Sequence, residues 1–138
     1  MANTLRLEIV TPEGTVYSED VQMVTLQAVT GQIGVYPQHI PLLTLAVPGE
    51  LIVRKDGRES FLAVGEGLVQ VTADHVAIAT TMAIPSEKID EAKVEEARAR
   101  AAARLEDKIS DEEVAAVNAA LANSLAQLNV KRRRHPGH

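Results

Sequence analysis

The chain has 138 residues and no cysteine, which excludes disulfides, thiolate nucleophiles and cysteine-ligated metals. A net charge of −5 and an aromatic content of 2 % argue against nucleic acid, which needs phosphate neutralisation and stacking platforms, and against sugar stacking. No stretch approaches the ~20 apolar residues of a membrane span. Residues 1–4 run straight into a strand-like pattern without a leader, so a reducing, cytoplasm-like compartment is expected.

Leu5, Leu7 and Ile9 alternate with Arg6 and Glu8, the period of a half-buried strand. Thr11-Pro12-Glu13-Gly14 marks a turn. Residues 21–29 form a second run, with Val24, Leu26 and Ala28 on one face. An irregular Gly/Pro segment follows. Leu51 and Val53 then lead into Lys55-Asp56-Gly57-Arg58, where Asp-Gly between apolar runs signals a hairpin. Residues 60–64, 68–72 and 76–80 complete the set, the last two joined by a tight turn at Ala73-Asp74-His75. Seven or more short strands at this spacing predict a two-sheet sandwich or barrel over residues 1–85.

Beyond residue 85 the chain changes character. Seven of eight glycines and five of six prolines precede residue 86, and residues 86–130 contain neither. Residues 1–85 hold nine acids and four bases, whereas residues 86–138 hold ten of each. Pro85-Ser86 reads as a helix entrance with Ser86 as N-cap, followed by Val94, Ala97, Ala101 and Leu105 at helical spacing. The pattern breaks near residues 106–109. Ser110-Asp111-Glu112-Glu113 is a capping box, in which hydroxyl and carboxylate satisfy free amides reciprocally. Val114, Val117, Leu121, Leu125 and Leu128 follow in register, giving an antiparallel two-helix hairpin over residues 86–138. One seam of that hairpin is mostly alanine, so it docks weakly yet stays helical by propensity, which suits either an arm that changes partners or an ordinary surface hairpin.

Chemistry is sparse. Of the histidines, His39 and His75 stand alone, and His135 and His138 flank Pro-Gly in a polar tail without metal-ligand spacing. Gly65-Glu66-Gly67 precedes a strand-like run and no Gly-Lys-Ser/Thr follows, so it reads as a bend between strands. No serine sits in a nucleophile elbow. Lys131-Arg132-Arg133-Arg134 reads as a solvated basic tail, with an acidic lipid or partner as the alternative.

The segment Gly31-Gln32-Ile33-Gly34-Val35-Tyr36-Pro37-Gln38-His39-Ile40-Pro41-Leu42-Leu43 resembles the signature of the epsilon subunit of F-type ATP synthases, called delta in mitochondria. The resemblance extends through Thr11-Pro12-Glu13-Gly14, residues 21–29, residues 65–71 and the two helices. It implies an α+β fold, a sandwich of about ten strands followed by a helical hairpin. It also implies a non-catalytic rotor subunit, peripheral on the cytoplasmic face of a bacterial plasma membrane or, alternatively, on a thylakoid. The sandwich would bind the gamma subunit and the c-ring through Gly31, Gln32, Gly34, Tyr36, Pro37 and His39, with Gln32 toward the ring and His39 toward gamma. The arm would extend along gamma into the alpha/beta head and oppose ATP hydrolysis, Arg98, Arg100, Arg104 and Lys108 pairing with acidic side chains there. The alternative for these residues is a solvated helix face bearing i,i+4 pairs such as Glu96 with Arg100.

Some relatives bind ATP on the hairpin through Ile-Asp-x-x-Arg-Ala. Here Ile89-Asp90-Glu91-Ala92-Lys93-Val94 replaces the arginine with lysine, and Asn123 and Gln127 stand where second-helix arginines are expected. Ile89, Asp90 and Arg100 are at most a weak remnant of that site, and no cofactor is expected. Glu66 is a second departure, where a small residue or glycine is usual. Two other readings stay open: a free-standing ATP-sensing switch, and a small histidine-metal sandwich.

Overall fold

The structure is a computed structural model that describes residues 4–134, apart from the side chains of Arg133 and Arg134. His135 and His138 lie outside the described residues. Ten strands come first: β1 (Leu5–Thr11), β2 (Gly14–Val21), β3 (Met23–Ala28), β4 (Gly31–Val35), β5 (Leu42–Ala46), β6 (Gly49–Lys55), β7 (Arg58–Val64), β8 (Gly67–Val71), β9 (His75–Thr80) and β10 (Ala83–Pro85). A 3-10 turn over Ser86–Lys88 leads to α1 (Glu91–Arg104) and α2 (Asp111–Arg134).

Pairing runs β10-β7-β6-β3-β5-β8-β9-β1-β2, with β4 on the other edge of β3. The β3–β5 link is a single pair, Ala28 with Ala46, and there the sheet folds over into two layers. The first layer holds β10, β7, β6, β3 and β4, and the second holds β5, β8, β9, β1 and β2. Their inner faces meet in one core of Leu, Ile and Val, including Leu7 and Ile9, Val24 and Leu26, Leu51 and Val53, Val69 and Val71, and Val76 and Ile78. Period-two alternation in each strand builds that core. At Asp56-Gly57 both residues take positive φ, 52° and 75°, the primed turn whose twist matches its strands.

Two strands appear where an irregular segment is expected. Gly31 and Gly34 lie on β4, and residues 42–46 form β5. The eight-residue β2 also goes unsignalled, because it is an edge strand whose exposed polar residues show no alternation.

The helical part corrects four local expectations. Ser86 does not cap α1. It is buried in the 3-10 turn, Ile89 is extended (φ −79°, ψ 121°), and Asp90 caps α1 by accepting from the Lys93 amide at 3.2 Å. The physical cause is Ile89, drawn into an apolar cluster with Ala63 and Val130, which interrupts the helix before it can propagate. At Ser110 half of the box forms: Oγ accepts from the Glu113 amide at 3.2 Å, while the Glu113 carboxylate takes Arg104 at 2.7 Å. Leu125 leaves the expected stripe and is 49 % exposed, whereas Ala126, Leu128 and Val130 are buried. Lys131 and Arg132 belong to α2, and both are engaged.

Candidate docking surface

Each sandwich layer has one outward face, and the two have different fates. On the first layer, Phe61, Ala63 and Ile84 point away from the core and are met by Ile89, Val94 and Val130. The helical arm therefore covers that face. Burying Ile89 and Val130 against Ala63, at ~1.5–3 kcal/mol for each large side chain, fixes the arm against the sandwich. Gly65 permits the approach: a β-carbon there would lie 3.1 Å from Asn123 Oδ1 and 2.5 Å from Thr81 Oγ1. Gln127 Nε2 donates to Met82 Sδ at 3.1 Å, and Lys131 Nζ to the Ser86 carbonyl at 3.3 Å. Asn123, Gln127 and Lys131, one turn apart, thus form a polar edge of α2 against the end of the sandwich.

The outward face of the second layer is bare. In register across it stand Leu45, Leu68, Ala79 and Val10, and beside them Leu43, Gln70, Ala77 and Glu8. Leu43 is 66 % exposed, Leu45 52 % and Leu68 48 %. A depression of about 200 Å³ lies among Val10, Leu68, Ala77 and Ala79. One margin carries His75, whose Nε2 lies 3.6 Å from Glu8 Oε1. Val29, Tyr36 and Ile40 add exposed apolar surface in the turns. An exposed leucine face of this kind is a candidate docking surface.

The expected site residues divide by location. Gly31, Gln32 and Gly34 lie on β4, paired only with β3, so Gln32 and Gly34 are exposed at an edge. Tyr36, Pro37 and His39 lie in the turn to β5. There His39 Nδ1 bonds the Ile40 carbonyl at 2.7 Å and the Gln38 amide donates to Ala73 at 2.6 Å, which ties the turn to the β8–β9 corner. Arg98 and Arg100 pair within α1 to Glu95 and Glu96, Arg104 pairs across to Glu113, and Lys108 is exposed in the interhelical loop. Ile89, Asp90 and Arg100 are each engaged separately, in packing, capping and the Glu96 pair.

Sequence pattern alone did not single out Leu45, Leu68 or Val10. The available signal was a short strand, Leu42-Leu43-Thr44-Leu45-Ala46, apolar on both faces though it lies within a module with one core. Glu66 has no packing consequence: its side chain is exposed, and its carbonyl accepts from Thr80 Oγ1 at 2.9 Å. No group of His, Asp or Glu suited to a metal ion occurs among the described residues, and no described helix is long and apolar enough to cross a membrane.

Residues 4–86 match the family model for the beta-sandwich domain of the ATP synthase delta/epsilon chain, and residues 87–132 match its long alpha-helix domain. The ATP synthase epsilon chain of Bacillus licheniformis is 36 % identical over 129 residues, covering 94 % of this chain and 98 % of that one. That of Bacillus subtilis is 39 % identical over 111 residues, covering 80 % and 84 %. A chain in the cryo-EM structure of the Euglena gracilis mitochondrial ATP synthase shares the fold with a TM-score of 0.76 at 23 % identity, covering 94 % of this chain and 81 % of that one. On the two domain matches and these relatives, the chain belongs to the ATP synthase delta/epsilon family.

Proposed function

We propose that the chain is a central-stalk subunit whose bare second-layer face docks it onto the gamma subunit. As a member of its family it is a non-catalytic part of the ATP synthase. The carrying observation is the asymmetry of the two outward faces: the arm covers one, and the other presents Leu43, Leu45, Leu68 and Val10 to solvent. Exposing that surface is costly unless something covers it. The cryo-EM structure of the Tetrahymena thermophila central stalk and c-ring, which contains a chain of this fold with a TM-score of 0.66, supports the setting.

On this reading Gln32 and Gly34, on the exposed edge of β4, face the c-ring, and Tyr36, Pro37 and His39 border the gamma contact. The arm restrains ATP hydrolysis by extending into the alpha/beta head, where Arg98, Arg100, Arg104 and Lys108 meet acidic side chains. Its place is the cytoplasmic face of a bacterial plasma membrane, a reading supported by the bacterial relatives. Crosslinking from Leu68→Cys and Gln32→Cys in the assembled enzyme tests the geometry, and this chain brings no other cysteine to it. Leu68→Cys should capture gamma and Gln32→Cys the ring; capture of neither removes the docking model.

A further inference from the structure

The two helices of the arm are held to one another differently from the way the arm is held to the sandwich. No side chain of α1 is buried. Val94, Ala97 and Ala101 are only half-buried, and alanine contributes little apolar area. What crosses between the helices at their two ends is charge.

At the base, Arg132 Nε donates to Glu91 Oε1 at 2.6 Å, and its Nη2 reaches Glu95 Oε2 at 3.5 Å. Glu95 also accepts from Arg98, and the hydrogen bond from Arg98 holds its carboxyl below the ordinary glutamate value. The neighbouring Lys131 adds a bond to the Ser86 carbonyl. At the far end Arg104 pairs with Glu113 at 2.7 Å. The side chains of Arg132 and Glu91 are 56 % and 42 % exposed, so counter-ions reach the pair.

We propose that Arg132, bridging Glu91 and Glu95, is the keystone of an ionic clasp that closes the hairpin, with Arg104–Glu113 as its second jaw, and that ionic strength sets how tightly the arm is shut. A single exposed ion pair is weak. Here a connected network acts across a seam in which α1 buries no side chain, while α2 contributes a buried Leu128 and half-buried Val114, Val117 and Leu121, so charge and a modest apolar stripe share the closure. Opening the hairpin separates Arg104 from Glu113 and leaves the Arg100–Glu96 and Arg98–Glu95 pairs intact, since each of those lies on one helix. Arg104 and Arg132 are therefore the arm cations whose charge is released by opening. The inference depends on the reading of the arm as a regulator only for its consequence, since closure itself is a property of this chain.

The test is hydrogen exchange of the full chain between about 50 mM and about 1 M NaCl, a range over which screening shortens from beyond one helix diameter to a few ångström. Amide protection in α1 and the first half of α2 should fall about threefold to tenfold at high salt, while β-strand protection holds. Arg132→Gln should reproduce that loss at low salt and abolish most of the salt response. The exchanged pair Glu91→Arg with Arg132→Glu should recover part of it, and Lys93→Gln should change nothing. Salt-independent protection, or an Arg132→Gln arm as protected as the parent, would overturn the clasp. If exchange responds as expected but Arg132→Gln leaves the ATPase of the assembled enzyme unchanged, the clasp stands and the regulatory reading of the arm fails.

Discussion

At position 67 a β-carbon would come within 2.2 Å of the Ala79 carbonyl, a backbone atom that cannot rotate away. At position 65 the nearest obstacle is a threonine hydroxyl, then Asn123 of α2. The two glycines of one bend therefore serve different purposes. Gly67→Ala should cost the sandwich about 1–3 kcal/mol, seen as a lowered thermal midpoint of the strands. Gly65→Ala should leave that midpoint nearly unchanged and accelerate exchange in α2, and equal effects of both variants would contradict the distinction.

Tyr17 supplies a second residue-scale test. Burial, aided by the Glu19 charge and a hydrogen bond to its carboxylate, raises the phenol from 10.0 to about 12. The folded state thus keeps its proton where the unfolded chain has lost it. Its contribution to stability is complete below pH ~10 and declines as pH rises toward ~12. In a Tyr36→Phe variant Tyr17 is the only tyrosine left. Its absorbance titration should centre near pH 12, and a midpoint near 10 would mean the ring is solvated.

At the scale of elements, much of the fold was legible and the exceptions share a cause. β1, β3, β6, β7, β8 and β9 announce themselves because alternation records burial on one side. β4 was hidden because Gly31 and Gly34 read as loop, yet its glycines sit in register with Ala28 and Thr25 on an edge where little side chain is needed. The true start of α1 was hidden because Ile89 belongs to a cluster with Ala63 and Val130, residues 26 and 41 positions away, which no local pattern reveals. The arm was legible as two helices, and the α2 stripe of Val114, Val117, Leu121 and Leu128 lies on its less exposed side, with Leu125 alone turned outward. The bare leucine face was least legible, since an outward leucine looks like an inward one until register is known. Because Leu45 points away from the core, Leu45→Arg should leave thermal stability within about 0.5 kcal/mol of the parent. A large loss would place this face inside the fold.

At the scale of the molecule, the sandwich has one face closed by its own arm and one left bare, and the proposed docking and restraint fall on opposite sides. Docking and restraint should therefore separate. Removing residues 86–138 should leave assembly with gamma intact and raise the ATPase rate of the assembled head, and an unchanged rate would remove the inhibitory role. The most direct test of the central claim is the equilibrium affinity of the full chain for the gamma subunit, with Leu45→Arg and Leu68→Arg against the parent. Each should weaken binding at least ~10-fold, as expected for a charge driven into a buried contact. Parent-like affinity in both variants would show that the stalk binds elsewhere.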